Sequence, residues 1–318
     1  MITTRRTVLG AAATALLLPV AACSGRSRDE VQHIAIVSKG FQQQFWQAVK
    51  QGADAEAEAQ GVVLTFEGPP TESDIEAQIT MLQNTVTREP DGLAIAALDS
   101  RAAAPSLEEA QAKGIPVVAF DSGVESDIPV STVATDNAAA AREAGKHMVE
   151  LVGGEGKVAV VAHDQVSQSG TDRRDGFIAG IEEFGPDIEL LPVQYGEGDQ
   201  AKSADIARSM ISANPDLKGL FGTNEGSAIG VLRGVQESGR HDLAVVGFDS
   251  GRAQVEAISE GEMAGGVTQN PVAMGRITVQ TVLATIRGEE TEPTIDTGFF
   301  WYDSDNIDSD EIQEAIYL

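Results

Sequence analysis

Cysteine is almost absent from this 318-residue sequence, since Cys23 is the only one. A single thiol cannot form an intramolecular disulfide, so the fold must be stabilised by buried core residues. Histidine is scarce as well, and its four copies show no spacing with cysteine of the kind that binds zinc. The sequence also lacks a G-x-x-x-x-G-K-[ST] phosphate loop and a nucleophile–base–orienter trio. We therefore expect no metal, no cofactor and no enzymatic activity.

Basic residues are few compared with acidic ones. The chain has 22 lysines and arginines against 49 aspartates and glutamates, which gives a net charge of −27 at pH 7. Such a surface repels nucleic acid and anionic lipid headgroups, so neither is expected as a partner. Only one apolar run, near the N-terminus, approaches the length of a membrane-spanning segment. About 290 residues follow it, which is enough for two domains.

The N-terminal segment has the organisation of an export signal. Two arginines precede an apolar stretch, 8–22, that contains no acidic residue and ends in small residues. The sequence Val20-Ala21-Ala22-Cys23 resembles the lipobox of bacterial lipoproteins. The pattern predicts a signal peptide over 1–22, a lipid on Cys23 as the new N-terminus and a polar linker over 23–30. The alternative is a plain secreted protein whose signal happens to contain a cysteine.

Beyond residue 30, short apolar runs alternate with amphipathic helical stretches. Continuous apolar runs are typical of parallel strands covered on both faces. Ser73 and Glu76 form a capping-box pattern that predicts a helix over 73–87 with Ser73 as its N-cap. The whole pattern predicts an α/β fold with two doubly wound parallel sheets of the 2-1-3-4-5 type, whose strand ends face a shared cleft. The predicted strands are 33–37, 62–66, 92–96, 115–120, 157–162, 188–193, 219–222 and 243–248.

Polar side chains follow most of these strands, at the edge where such sheets bind ligands. Carboxylates, amides and cations can bond hydroxyl groups, and an aromatic face can pack on the C–H face of a sugar ring. The mixture favours a neutral, polyhydroxylated ligand. The residues concerned are Lys39, Phe45, Trp46, Asp99, Asp121, Ser122, Asp136, Asn137, His163, Arg173, Asn224, Asp249 and Gln269.

Several of these residues have a structural alternative. Asp99 and Asp136 could each cap the helix that follows, and we leave capping and ligand contact open for both. Of Arg173 and Arg174, one is expected to pair with a neighbouring surface carboxylate. His163 is interpreted as a hydrogen-bonding loop residue.

Six short segments match a known family in order and spacing: 45–53 (FWQAVKQGA), 114–122 (GIPVVAFDS), 135–137 (TDN), 173–177 (RRDGF), 223–225 (TNE) and 245–249 (VVGFD). With them, the chain from about residue 32 onward resembles the periplasmic ribose-binding-protein family, the solute receptors of sugar ABC importers. In that family the matching positions line the sugar cleft. The resemblance implies ligand contacts from Phe45, Trp46, Asp121, Asn137, Arg173, Asn224, Asp249 and Gln269.

Two positions depart from the family's pattern. The segment before the aromatic pair reads KGFQQQ over 39–44, where ribose receptors have asparagines and a proline. Ser122 stands where an arginine commonly follows the aspartate. These departures argue against ribose itself and leave a sugar, a polyol or a related small polar molecule. Lys39 is predicted to supply the charge of the missing arginine, so Lys39 and Ser122 join the predicted contacts.

The resemblance also implies that the chain crosses three times between two domains, near 134–136, 266–270 and 297–300. The predicted N-terminal domain is then 31–134 plus 270–297, and the C-terminal domain is 135–269 plus 298–318.

The leading hypothesis is a monomeric receptor, anchored by lipid to the outer face of the cell membrane, that closes on a sugar or polyol and delivers it to an ABC permease. The alternative is a sensor that feeds a chemoreceptor or kinase, and co-purification with one partner or the other would separate the two. A transcriptional regulator with the same core would need a basic helix-turn-helix where the export signal lies. A hydrolase would need a carboxylate pair, which the fold alone does not establish.

Overall fold

The computed structural model describes residues 1–2 and 31–317. Cys23, the predicted linker and nearly all of the predicted signal peptide lie outside the described residues. One compact unit begins at Val31 and contains all the helices and strands of the described chain. None of these helices is both long and apolar enough to cross a membrane.

Strands and helices alternate along nearly the whole of this unit. The strands are β1 (His33–Val37), β2 (Val63–Glu67), β3 (Gly92–Ile95), β4 (Val117–Phe120), β5 (Thr132–Ala134), β6 (Glu155–Ala162), β7 (Asp187–Leu190), β8 (Gln194–Tyr195), β9 (Leu217–Gly222), β10 (Ala244–Phe248), β11 (Gly265–Gln269), β12 (Thr294–Asp296) and β13 (Phe299–Tyr302). The helices are α1 (Gln44–Gln60), α2 (Ile75–Thr87), α3 (Ala104–Ala112), α4 (Asn137–Val152), α5 (Gln168–Phe184), α6 (Gln200–Ala213), α7 (Glu225–Ser238), α8 (Arg252–Ser259), α9 (Pro271–Ile286) and α10 (Asp310–Ala315).

The strands form two sheets that are almost entirely parallel. The first has the order β2-β1-β3-β4-β5-β12 and the second β7-β6-β9-β10-β11-β13. The two-residue β8 pairs with β6 beside this order. Counted within each half and without β8, the first five strands of both sheets follow the order 2-1-3-4-5, which confirms the predicted topology. The second sheet ends in β13, which runs antiparallel to β11.

Each sheet is covered by helices and forms one lobe. We call the first sheet with α1, α2, α3 and α9 the N-lobe, and the second sheet with α4 to α8 and α10 the C-lobe. The chain passes between the lobes three times, from β5 to α4, from β11 to α9 and from β12 to β13. This arrangement lets two separately packed lobes share one cleft at their strand ends.

Burial follows the position of each strand in its sheet. β1 lies between β2 and β3, and its residues from Ile34 to Val37 are at most 1% exposed. Val63, on the edge strand β2, is 52% exposed because an edge strand is covered less completely. The strand predicted over 188–193 is interrupted, since β7 ends at Leu190 and Pro192, which has no N–H to donate, precedes β8.

The predicted N-cap of α2 was wrong by one residue. The helix begins at Ile75, and Asp74 caps it by accepting a hydrogen bond of 3.0 Å from the Ala77 N–H. The Ser73 hydroxyl instead lies 3.0 Å from that of Thr71. The aspartate directly before the helix is the residue whose side chain reaches the free amides of the first turn.

Two glycines bring α1 and α9 into close contact. A Cβ atom added at Gly52 would lie 1.9 Å from the Val272 carbonyl oxygen, and one at Gly275 would lie 1.9 Å from the Val49 carbonyl oxygen. Only glycine permits this approach of the two backbones. The contact fixes α1, whose first turn faces the cleft, firmly on the N-lobe.

Candidate functional site

Side chains from both lobes line a narrow cavity of about 10 Å³ between the strand ends, which in this arrangement has room for about one water molecule. Eight of the ten predicted ligand contacts are among them, and the other two, Ser122 and Asn137, are not. The lining residues are Lys39, Gln43, Phe45, Trp46, Glu72 and Asp121 from the N-lobe and His163, Ser169, Arg173, Asn224, Asp249 and Gln269 from the C-lobe.

The aromatic wall of the cavity is the first turn of α1. Phe45 and Trp46 meet edge to face with ring centroids 5.0 Å apart, and both also belong to the N-lobe core. The Trp46 indole N–H donates to Glu72 Oε1 at 2.6 Å. Trp46 is only 1% exposed, so its ring is held in one orientation. A fixed aromatic surface of this kind suits a sugar ring.

Asp121 and Asp249 occupy equivalent places in the two lobes. Each is the first residue after a buried strand, β4 or β10, and each has a positive φ, 55° for Asp121 and 80° for Asp249. Residues with such backbone strain cluster at binding and active sites. Burial raises the pKa of Asp121 to about 6, although Lys39 and Arg173 oppose the shift.

Arg173 is the central cation of the C-lobe wall. It lies in the second turn of α5, where Nε donates to Asn137 Oδ1 at 2.7 Å. Its guanidinium stacks 3.8 Å from the Phe248 ring centroid and approaches the carboxylates of Asp249 at 3.9 Å and Asp121 at 4.0 Å. Asn137 therefore orients Arg173 from behind and does not line the cavity.

Arg174 is the arginine that pairs at the surface, as one of the two was expected to do. Its Nε and Nη2 donate to the Asp175 carboxylate at 2.6 and 2.8 Å. Adjacent helix positions point in different directions, so one arginine faces the cleft while the next faces solvent.

Lys39 reaches across the cleft into the C-lobe. Its Nζ donates to the hydroxyls of Ser169 at 3.1 Å and Ser167 at 3.3 Å, and lies 3.8 Å from Asp164. Lys39 lines the cavity and also makes contacts between the lobes. Ser122 contributes to the same junction, because its hydroxyl accepts a 3.2 Å hydrogen bond from the Ser169 N–H.

The two aspartates with open interpretations both accept backbone hydrogen bonds. Asp136 caps α4 by accepting from the Ala139 N–H at 2.9 Å. Asp99 accepts from the N–H groups of Arg101 and Ala102 at 2.8 and 3.0 Å. Neither lines the cavity. Capping holds for Asp136, whereas Asp99 binds turn amides ahead of α3, whose N-cap position is Ala103.

Sequence reasoning missed Gln43, Glu72 and Ser169. Glu72 accepts at one oxygen from Trp46 and at the other from Asn224 Nδ2, 3.0 Å away on the opposite lobe. Glu72 lies in the loop after β2, so the rule that polar residues follow strands could have found it. Gln43 is the N-cap residue of α1 and Ser169 lies in the first turn of α5, close in sequence to the predicted contacts Phe45 and Arg173.

His163 both makes loop hydrogen bonds, as interpreted, and lines the cavity. Its Nδ1 lies 2.7 Å from the Thr223 hydroxyl. Burial lowers the pKa of His163 to about 3, although Asp164 opposes the shift. The imidazole is therefore neutral at pH 7 and adds no charge to the cavity.

Gln269 presents an acceptor that is not used within the protein. Its Nε2 donates to Asp249 Oδ1 at 2.6 Å, which fixes the amide. Among the described residues, no group donates to the buried Gln269 Oε1. A buried acceptor without a donor is unfavourable by about 1–3 kcal/mol. The cavity therefore favours a ligand that brings a hydrogen-bond donor to this atom.

Comparison with known proteins places these residues in a family context. The family described as "Periplasmic binding protein domain" matches residues 34–290. The ribose import binding protein RbsB of Escherichia coli is 27% identical over 262 residues, which cover 81% of this chain and 86% of RbsB. An ABC transporter solute-binding protein from Agrobacterium vitis with bound D-fucose is 34% identical, with a TM-score of 0.87 over 90% of this chain and 100% of its own. A carbohydrate transporter solute-binding protein from Agrobacterium radiobacter in complex with D-arabinose is 30% identical, with a TM-score of 0.87 over 92% of this chain and 100% of its own.

Proposed function

The chain belongs to the periplasmic binding protein domain family, and from that premise we propose that it captures a neutral sugar or polyol outside the cytoplasmic membrane and delivers it to an ABC permease. This family consists of binding proteins, and the cavity fits such a role. Its walls combine an aromatic pair, carboxylates, amides and two cations, which are the groups that bond hydroxyls and pack on the C–H face of a sugar ring.

The observation that carries the proposal is the Gln269 Oε1, which has no donor among the described residues, beside Asp249 in the cavity that Phe45 and Trp46 also line. A sugar hydroxyl is a donor and an acceptor at once. It can donate to Gln269 or to a carboxylate and accept from Arg173. The apolar face of the same ring can pack on the aromatic pair.

The charges around the cavity favour a neutral ligand. Arg173 lies within 4.0 Å of both Asp121 and Asp249, and Lys39 lies 3.8 Å from Asp164. Each cation is therefore already balanced by carboxylates. An anionic ligand would be repelled by Asp121, Asp249 and Glu72, and a cationic ligand by the two basic groups.

Binding is proposed to proceed by closure of the two lobes. The domains that move are 31–134 plus 270–297 and 135–269 plus 298–318. Since both lobes contribute lining residues, a sugar makes its full set of contacts only in the closed arrangement, and this difference shifts the population toward closure. The three crossings between the lobes would act as the hinge.

The lipid anchor is proposed from the sequence alone. Cys23 follows Val20-Ala21-Ala22 at the end of the apolar signal, so cleavage there would leave a lipid-modified N-terminus. The linker over 23–30 would then hold a monomeric binding unit close to its permease.

A direct test is capture of sugar by the purified protein. The protein is unfolded, washed, refolded and titrated by calorimetry with D-ribose, D-allose, D-fucose and D-arabinose, and any molecule bound in native cells is identified by mass spectrometry. We expect one molecule per chain and a neutral sugar or polyol in the mass spectrum. If none of the four sugars binds and the native ligand is charged or absent, the proposed function is wrong.

A further inference from the structure

Helix α1 begins without a cap from its own lobe. Gln43 is in the N-cap position, but its side chain makes no capping hydrogen bond, and the first turn contains no acidic residue. The first amides of any helix have no acceptor within the helix. Those of α1 lie next to Phe45 and Trp46, the aromatic wall of the cavity.

The missing acceptor comes from the opposite lobe. Glu225, the first residue of α7, accepts from the Gln44 N–H at Oε1 and from the Phe45 N–H at Oε2, both at 3.0 Å. The side chain is buried, and its own N–H donates to Asp249 Oδ2 at 2.9 Å. In return, the Gln44 side-chain oxygen accepts from the Arg252 N–H at 2.8 Å.

We infer that Glu225 is a positioning residue for closure. Its carboxylate caps α1 across the cleft and thereby fixes the distance between the Phe45–Trp46 pair and the C-lobe. Two parallel acceptors on two successive amides define both the distance and the rotation of the helix. Negative charge is also favourable at a helix N-terminus. The inference rests on the proposed function only in assuming that the aromatic pair faces a sugar.

The surroundings of Glu225 give the contact a pH dependence. Facing it are the carboxylates of Asp249 and Glu72 and the phenol groups of Tyr302 and Tyr317, of which the Tyr317 hydroxyl is 3.5 Å away. Burial raises the pKa of Glu225 to about 7, the two helix amides oppose the shift, and the neighbouring carboxylates add to it.

The sign of this dependence follows from the raised pKa. Opening exposes the carboxyl to water and returns it toward its ordinary value of 4.5, so closure takes up a proton. Closure is therefore most favourable below about pH 4.5, where the carboxyl is protonated in both arrangements, and becomes less favourable as the pH rises through about 7, whereas the cap on both amides needs the ionised carboxylate that is present above about pH 7.

The test is amide hydrogen exchange, read by NMR at Gln44 and Phe45 in the full-length protein at a saturating concentration of whichever of the four sugars binds most tightly, so that the lobes are closed. Replacing Glu225 by alanine should make both amides exchange about tenfold faster or more, the effect of losing a hydrogen bond to a charged acceptor. Glu237→Gln is the matched control, because Glu237 lies exposed at the other end of α7 and pairs with Arg233. Equal exchange in the Glu225→Ala variant and the wild type would overturn the inference.

A second variant keeps the inference testable if Glu225→Ala does not fold. Glu225→Gln keeps one acceptor oxygen, so we expect one of the two amides to stay protected while the other exchanges faster. Equal protection of both amides in this variant would contradict the two-acceptor cap. If none of the sugar probes binds the wild type, the proposed function fails. The exchange rates are then read without sugar, where faster exchange in Glu225→Ala still supports the cap and equal exchange overturns it.

Discussion

Replacing Arg173 by methionine should weaken sugar binding while leaving the lobes folded. The guanidinium donates hydrogen bonds of 2.7 and 3.1 Å to its own lobe and lies within 4.0 Å of Asp249 and Asp121. Methionine preserves most of the length and packs on the Phe248 ring below, but it removes the charge and all donors. Both carboxylates then stay buried without their cation.

The magnitude follows from these distances. Two unit charges 4 Å apart interact by about 4 kcal/mol at an effective dielectric constant of about 20, which sets an upper limit for one pair. Losing one partner of a buried, hydrogen-bonded charge pair typically weakens binding by about 2–5 kcal/mol. We therefore expect a loss of about 2–4 kcal/mol, which raises Kd roughly 30- to 1,000-fold.

The double variant with Asp249→Asn tests the pair itself. Because Arg173 and Asp249 are in contact, the two losses of binding free energy should not add. The loss in the double variant should be about 1–2 kcal/mol smaller than the sum of the two single losses. Both residues are buried, so each single variant should also melt at a lower temperature. Affinity must be measured well below that temperature.

Calorimetric titration with the same four sugars measures the loss, and Arg174→Met is the matched control. Arg174 is adjacent in sequence but bonds Asp175 at the surface, so its replacement should leave Kd unchanged. Wild-type affinity in Arg173→Met or in Asp249→Asn would remove that residue from the site. Additive losses would leave both residues in the site but refute their coupling.

Three further outcomes are expected. Trp46 emission should change on sugar titration, and Trp46→Phe should abolish the change. If the change disappears only in Trp301→Phe, Trp46 is not the aromatic that reports binding. Gly52→Ala should destabilise the fold by about 1–3 kcal/mol, seen as a lower melting temperature, because its Cβ would overlap the Val272 carbonyl oxygen; unchanged melting would refute the close contact. Radiolabelled fatty acid should enter the wild type but not Cys23→Ser, and equal labelling would refute the anchor.

The order of the strands in both sheets could be predicted because the central strands are continuous apolar runs. Runs such as 33–37 and 243–248 are buried on both faces, so continuous apolar character identifies them. Strands β5, β11, β12 and β13 were not predicted, because none of these runs of three to five residues is continuously aliphatic. Pro192 shows the opposite case, in which a single residue divides a predicted strand.

The site was predictable where residues follow strands and unpredictable where they meet across the cleft. Asp121, Asn224 and Asp249 follow buried strands, so their common edge could be foreseen. The contact of Glu225 with the start of α1 depends on how two lobes lie together, and no local pattern encodes that distance. Glu72 lies after a strand and could have been foreseen as a site residue, but its bond to Asn224 depends on the approach of the other lobe.

Small-angle X-ray scattering with and without sugar tests the central claim most directly. The measurement compares the radius of gyration of the protein alone with that at a saturating concentration of whichever of the four sugars binds most tightly. Closure of two lobes on a sugar predicts a smaller radius of gyration in the complex, whereas superimposable curves at saturation would contradict it.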